Sequence, residues 1–301
     1  MENHKISSVG GGSNNLIRVT GGNGGESYLY LGTESTVLHD LGMACFNKEL
    51  IENIEAALDG RPLDFILLSH THYDHMGALP YVLKRWPNAK VCGCAKTASV
   101  FTRKGAVNMI VSMGQSAAEF YGKDPEMVIA DGIRVDLVLE DGEKVDLGAG
   151  ETLVAFETKG HTDCSMSYFI EPAGLLFASE STGVLESERV MHTSVLKSFD
   201  DSFVAARRLK DLPIKCLVVP HYGIASDEIT ETFFDWYIKE ALKEKTLIEG
   251  CISRGLSLEE TFEEHKKLYW TEERAINHPY RAYKMNTEII IRMVAAGMQG
   301  V

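Results

Sequence analysis

The sequence predicts an α/β fold with a helical C-terminal extension, and three observations carry that expectation. Short apolar runs bounded by Gly and Pro recur through the first three quarters of the chain. Segments with apolar residues at helical spacing lie between them. After Gly223 the pattern turns helical throughout, with no strand signal. A chain of 301 residues has room for one large α/β domain plus an appendage, and it can bury a core without disulfide staples.

Taken in order, residues 1–15 read as a polar, Gly-rich leader without the apolar stretch of a secretory signal. Strands are expected at 27–31 and 36–38, the second running on to His39 and Asp40. Residues 47–58 predict a helix, because Leu50, Ile51, Ile54 and Leu58 share one face and Gly60 and Pro62 stop it. Residues 65–68 are continuously apolar, as a strand buried on both faces should be. An amphipathic helix follows at about 75–86, closed by Pro87, and then a strand at 90–94. Val100, Phe101, Met109, Met113, Phe120 and Tyr121 are spaced for one or two helices within 97–127, either packed into the core or forming a lid. From Ile133 the period becomes two, through Leu137 and Leu139, and Asp141-Gly142 reads as a hairpin turn. Strands at 143–147, 152–158, 167–170 and 175–178, a helix at 201–210 and a strand at 216–219 complete a domain spanning 1–225. The helical subdomain, 226–301, opens with Ser226 as a cap and Asp227 and Glu228 in the first turn. Ser257-Leu-Glu-Glu260 is a capping box, and a last helix covers about 279–298.

The formal net charge of −13, with no Lys/Arg-rich stripe, opposes a polyanionic partner, so no nucleic acid is expected. No apolar run approaches the roughly 20 residues that cross a bilayer, so no membrane partner is expected and a cytoplasmic location is the default. The six scattered cysteines read as reduced thiols.

Chemistry concentrates directly after the 65–68 run. His70, His72, Asp74 and His75 fall within six residues, at the C-terminal end of a buried strand, where open α/β sheets place their sites. Histidines at i and i+2 of an extended segment share a side and can grip one ion, while Asp74 and His75 can face a second. Imidazole with carboxylate suits zinc, iron or manganese rather than calcium or magnesium.

His-x-His-x-Asp-His after an apolar strand resembles the metallo-β-lactamase superfamily, and the likeness extends over most of 16–225. Asp40 ends an early strand pair as the family's Asp does. Gly160-His161-Thr162 resembles its Gly-His-Thr motif, 175–180 its apolar strand ending in an acid, and Val218-Val-Pro-His221 its last strand and histidine. The resemblance implies a four-layer αβ/βα sandwich and two divalent metal ions per chain, zinc first, with iron or manganese as alternatives. It implies that His70, His72 and His161 hold one ion and Asp74, His75 and His221 the other. Glu180 stands where the family has a bridging Asp; the extra methylene adds ~1.5 Å of reach, so a shifted bridge, a single ion or no bridge are all open.

The function expected is a metal-dependent hydrolase in which a metal-bridging hydroxide attacks an ester- or thioester-type bond of a small organic substrate, with Asp74 orienting the nucleophile. In overall plan the chain is similar to the quinolone-signal response thioesterase of the same superfamily, whose C-terminal helices cover its site. The alternatives are a small-molecule phosphodiesterase on the same bimetal centre and a ligand-binding regulatory protein with a vestigial site, the latter motivated by Glu180. A flavodiiron-type oxidoreductase is disfavoured, because that group has Glu where His72 stands. Tyr222, His192 (expected on a loop) and Cys164 are candidate substrate contacts, each with packing or solvation as the plainer alternative, and Tyr73 is expected to turn away and pack. A homodimer stays open.

Overall fold

The computed structural model describes residues 15–277 and 280–299, so the expected leader, all but its last residue, lies outside the described residues, as does Pro279. The chain divides into two compact units, one of 1–157, 164–179 and 213–225, the other of 158–163, 180–212 and 226–301. The tail beyond Ala225 therefore groups with two earlier segments.

The first unit is built on two six-stranded sheets. In one, β1 (Leu16–Arg18), β2 (Tyr28–Leu31), β3 (Thr36–His39), β4 (Phe65–Leu67), β5 (Lys90–Gly93) and β6 (Leu137–Val138) lie side by side in chain order. The first three strands pair antiparallel and the rest parallel. Parallel pairing needs crossovers, supplied by α1 (Asn47–Leu58), α2 (Tyr73–Met76), α3 (Leu79–Arg85), α4 (Ala95–Thr102) and α5 (Lys104–Phe120). The second sheet takes β7 (Lys144–Gly148), β8 (Glu151–Glu157), β9 (Met166–Glu171) and β10 (Leu175–Phe177). The chain then enters the second unit as a hairpin, β11 (Val184–Ser187) and β12 (Val190–His192), and a helix, α6 (Phe199–Lys210). It returns as β13 (Cys216–Val219) and β14 (Gly223–Ile224), giving the order β14-β13-β10-β9-β8-β7.

Period-two alternation decides the layers. Tyr28, Tyr30, Val37, Leu67 and Cys92 share a core with Leu153, Ala155, Met166, Tyr168, Ile170, Phe177 and Val218 of the other sheet. Their neighbours Leu29, Leu38, Ile66, Leu68 and Val91 face the opposite way, under Leu50, Ile54 and Leu58 of α1 and Leu79, Val82 and Leu83 of α3. A one-residue slip would exchange the two sets, so the register is strongly specified.

Several expectations need correction. The helix at 75–86 is two pieces, because Pro80 at the start of α3 has no N–H to continue the turn from Met76. The alternation from Ile133 yields only the two residues of β6, since Asp136 spends its side chain on the Val91 amide (3.0 Å) and its own amide on the Val91 carbonyl (2.8 Å). Asp141-Gly142 carries the chain from one sheet to the other rather than closing a hairpin. Residues 97–127 hold two helices; α5 packs Val111, Ala117 and Ala118 with Phe46, Tyr73 and Val128, while Met109 and Phe120 are exposed.

The second unit contains the β11–β12 hairpin, α6, α7 (Asp227–Ser253), α8 (Leu258–Tyr269), α9 (Glu272–Asn277) and α10 (Tyr280–Gln299). Ser226 Oγ accepts from the Ile229 amide, and Ser257 and Glu260 form the expected reciprocal box. Among the described residues no helix is long and apolar enough to cross a membrane. All six cysteines are free of disulfides.

Candidate functional site

The β3 and β4 ends supply the support for the histidine-rich segment. Asp40 follows β3 with φ +49°, a left-handed conformation that aims its carboxylate at the next strand's exit. Its Oδ1 accepts from the Ser69 amide (2.8 Å), and its Oδ2 accepts from Ser69 Oγ (2.7 Å) and His75 Nδ1 (2.8 Å). Because the Ser69 hydroxyl donates to Asp40, its oxygen is left to accept from His70 Nδ1 at 3.0 Å. One buried carboxylate thereby sets both tautomers, leaving the Nε2 lone pairs of His70 and His75 as ligand atoms. Burial alone would raise the Asp40 carboxyl, but nearby His39 and His75 and the bonds from His75 and Ser69 hold it below its ordinary value.

Around these atoms the first unit gathers further donors. His70 Nε2 is 2.9 Å from His72 Nδ1, and His75 Nε2 is 3.3 Å from His221 Nε2. Asp74 Oδ2 lies 3.9 Å from His75 Nε2 and 3.7 Å from His221 Nε2. His221 reaches this position after β13 with φ +60°, another left-handed non-glycine. The loop before β2 closes on the segment from outside: the Gly25 amide donates to the Asp74 carbonyl at 3.0 Å, and a Cβ on Gly25 would collide with that carbonyl.

The second unit prepares two more side chains. Gly160 (φ +140°) sits where a Cβ would come within 2.6 Å of Ser202 Cβ, which only glycine permits. The next residue, His161, is buried and donates from Nδ1 to the Ser194 carbonyl (2.7 Å), which leaves its Nε2 lone pair as the ligand atom. That nitrogen is 3.5 Å from Glu180 Oε2, which also accepts from Ser194 Oγ at 2.9 Å.

Two acceptors facing each other at such distances repel unless a proton or cation lies between them. Ligands about 2.1 Å from one ion stand about 3.4 Å apart at the tetrahedral angle. The 3.3 Å separation of His75 and His221, the 3.5 Å of His161 and Glu180, and the grouping of Asp74, His75 and His221 within 4.8 Å therefore fit a transition-type ion. The donor set, imidazole and carboxylate without thiolate, fits the same ions.

The profile of the metallo-beta-lactamase superfamily matches residues 20–221, a span that takes in all seven of these ligand-type side chains. The chain belongs to the metallo-beta-lactamase superfamily. Its fold is that family's mixed α/β fold with a C-terminal helical region. Among solved structures, it is similar to a superfamily protein from Sulfolobus tokodaii, with a TM-score of 0.54 and 21% identity over 76% of this chain and 83% of that one. It is similar to BJP-1, a subclass B3 metallo-beta-lactamase of Bradyrhizobium japonicum, with a TM-score of 0.52 and 19% identity over 76% and 90%. Among curated relatives, an anaerobic nitric oxide reductase flavorubredoxin of Vibrio vulnificus is 26% identical over 167 residues, 55% of this chain and 29% of the relative. The chain thus spans under a third of that relative's length.

Within this superfamily member the remaining candidates sit as follows. Cys164 is buried in the core between the two sheets, with Sγ 3.5 Å from Thr71 Oγ1. Tyr73 lines an apolar cleft with Met76, Ile110, Val111 and Val128. Tyr222 is half-buried in the turn after His221, its amide donating to the Val219 carbonyl. His192 closes strand β12 of the hairpin, not a loop as expected, because two short strands at 184–192 carry no periodic signal. Sequence reasoning missed Ser69 and Ser194, whose roles come only from long-range contact. It also missed His39, whose buried ring stacks on Phe177 with 4.5 Å between centroids and finds no hydrogen-bond partner for either nitrogen among the described residues.

Proposed function

We propose that this superfamily member is a metal-dependent hydrolase that cleaves an ester- or thioester-type bond in a small organic substrate. The observation that carries the reading is the preset tautomers: Asp40, Ser69 and Ser194 accept from Nδ1 of His75, His70 and His161 and so leave the three Nε2 lone pairs as ligands. His70, His72 and His161 would hold one ion and Asp74, His75 and His221 the other, with Glu180 as a further carboxylate ligand. Such ions, zinc before iron or manganese, would supply a water of pKa about 7 and offset the charge of a developing oxyanion.

The chain's own residues supply orientation. Asp40 Oδ2 and the Ser194 carbonyl keep protons on Nδ1 of His75 and His161, which holds both rings against rotation. Asp74, more exposed than Asp40, presents a carboxylate oxygen beside His75 and His221 and orients the attacking water there. Cys164 is packed in the core, so no thiol nucleophile is called on. The −13 charge opposes nucleic acid as the substrate and leaves a small organic molecule as the preferred class. A panel of acyl thioesters, lactones and phosphodiesters offered to zinc-, iron- and manganese-loaded protein tests the reading. Turnover confined to phosphodiesters makes it a phosphodiesterase instead. Metal-replete protein with no turnover but tight metabolite binding makes it a regulatory protein.

A second reading, oxidoreduction at an iron centre, is favoured by the flavorubredoxin relatives alone. His72 at its position weighs against it. Reduction of nitric oxide or oxygen by iron-loaded protein with an electron donor, in the absence of hydrolysis, would reverse the preference.

A further inference from the structure

We infer that Glu244 of α7 is a positioning residue for His161 and Glu180, acting through Thr193 and Ser194. The inference rests on reading those two side chains as metal ligands. Ser194 is the support they share, its carbonyl holding His161 and its hydroxyl holding Glu180. Ser194 itself has φ +54°, and a non-glycine in that region persists only where its surroundings over-determine it.

What determines it is next door. Thr193 Oγ1 donates to Glu244 Oε2, and both residues are buried. Glu244 Oε1 pairs with His265 Nε2 of α8 at 2.7 Å, and His265 Nδ1 pairs with Tyr283 Oη of α10 at 2.8 Å. The line from Thr193 to Tyr283 is thus a buried polar chain tying three helices to the end of β12. A buried carboxylate is a poor way to stabilise a bundle, because a well-packed apolar residue of similar volume generally serves at least as well. What a carboxylate does supply is two acceptors at fixed points, one anchored on His265 and the other fixing Thr193. Removing it frees the Thr193-Ser194 backbone to relax out of the left-handed conformation and carries the His161 acceptor with it.

The test uses the full chain, with zinc as the probe ion and a chromogenic chelator as competitor, and urea unfolding of the metal-free protein alongside. Thr193→Val and Glu244→Met should each weaken zinc binding about ten- to a hundredfold, the range for lost support behind a ligand. The double variant should be little worse than either, because both cut one line. Thr193→Ser, which restores the hydroxyl, should return to within about twofold of wild type. Phe262→Leu, in the buried core of α8, should lower stability while leaving zinc affinity unchanged. If Thr193→Val binds zinc like wild type, or Phe262→Leu loses as much affinity as Glu244→Met, the inference is overturned. The Thr193 pair carries the test if Glu244→Met does not fold. Wild type that binds no zinc, iron or manganese overturns the metal centre itself, an outcome visible before any variant is made.

Discussion

Asp40→Asn is the sharpest test of how the site is organised. The carboxylate accepts three hydrogen bonds, from the Ser69 amide, Ser69 Oγ and His75 Nδ1, at 2.7–2.8 Å. An amide of the same shape has one acceptor oxygen. With that oxygen toward the Ser69 amide, its NH2 meets His75 Nδ1 and drives the imidazole proton to Nε2, the atom that should ligate. Loss of such support weakens metal binding by about 10–100-fold, or about 1.4–2.8 kcal/mol. Hydrogen bonds to charged groups contribute roughly 1.5–3 kcal/mol each, so the metal-free protein should lose about 1–3 kcal/mol once relief of the buried charge is counted. Competition against a chelator measures the first quantity and urea unfolding of metal-free protein the second. A variant that binds zinc as tightly as wild type would refute the claim that Asp40 sets the His75 tautomer, whatever its stability.

Three further outcomes are expected. Glu180→Ala should lower the number of zinc ions bound per chain by elemental analysis; unchanged occupancy removes Glu180 from the ligand set. Gly160→Ala should destabilise by at least about 2 kcal/mol, because it adds a Cβ within 2.6 Å of Ser202 Cβ at φ +140°; a urea midpoint equal to wild type would contradict the packing described. Burial, aided by His75 and opposed by Asp40, lowers the pKa of His39 below its ordinary value. Below about pH 6.5 the unfolded chain then takes up a proton that the folded one refuses, so metal-free stability should fall as pH drops. Asp40, whose pKa is depressed, adds stability above about pH 4 that is lost as pH falls through its lower folded value. Urea midpoints between pH 7.5 and 5 should slope in wild type and flatten in His39→Leu; equal slopes would show that His39 is not the group responsible.

Local pattern was enough where an element is long or its periodicity clean. The helix over 47–58 follows from four apolar residues on one face and from Gly60, and α8 follows from Ser257 and Glu260, whose reciprocal bonds are made within four residues. Strands β1, β12 and β14 have two or three residues each, too few for a period to register, so they form only because a neighbouring strand offers its edge. Conversely, Ile133 to Leu139 alternates without becoming a long strand, because Asp136 satisfies the Val91 amide with its side chain.

The same division runs through the site. Which side chains have ligand chemistry is legible along the chain, since His70, His72, Asp74 and His75 lie within one short segment and their spacing needs no folding to be seen. The tautomers of His75 and His161 depend on the folded arrangement, because Asp40 is 35 residues from His75 and Ser194 is 33 from His161, and a tautomer is set by whichever acceptor packing delivers to Nδ1. A hydrogen bond acts over about 3 Å, and no pattern along the chain encodes which distant carboxylate or carbonyl will arrive at that distance.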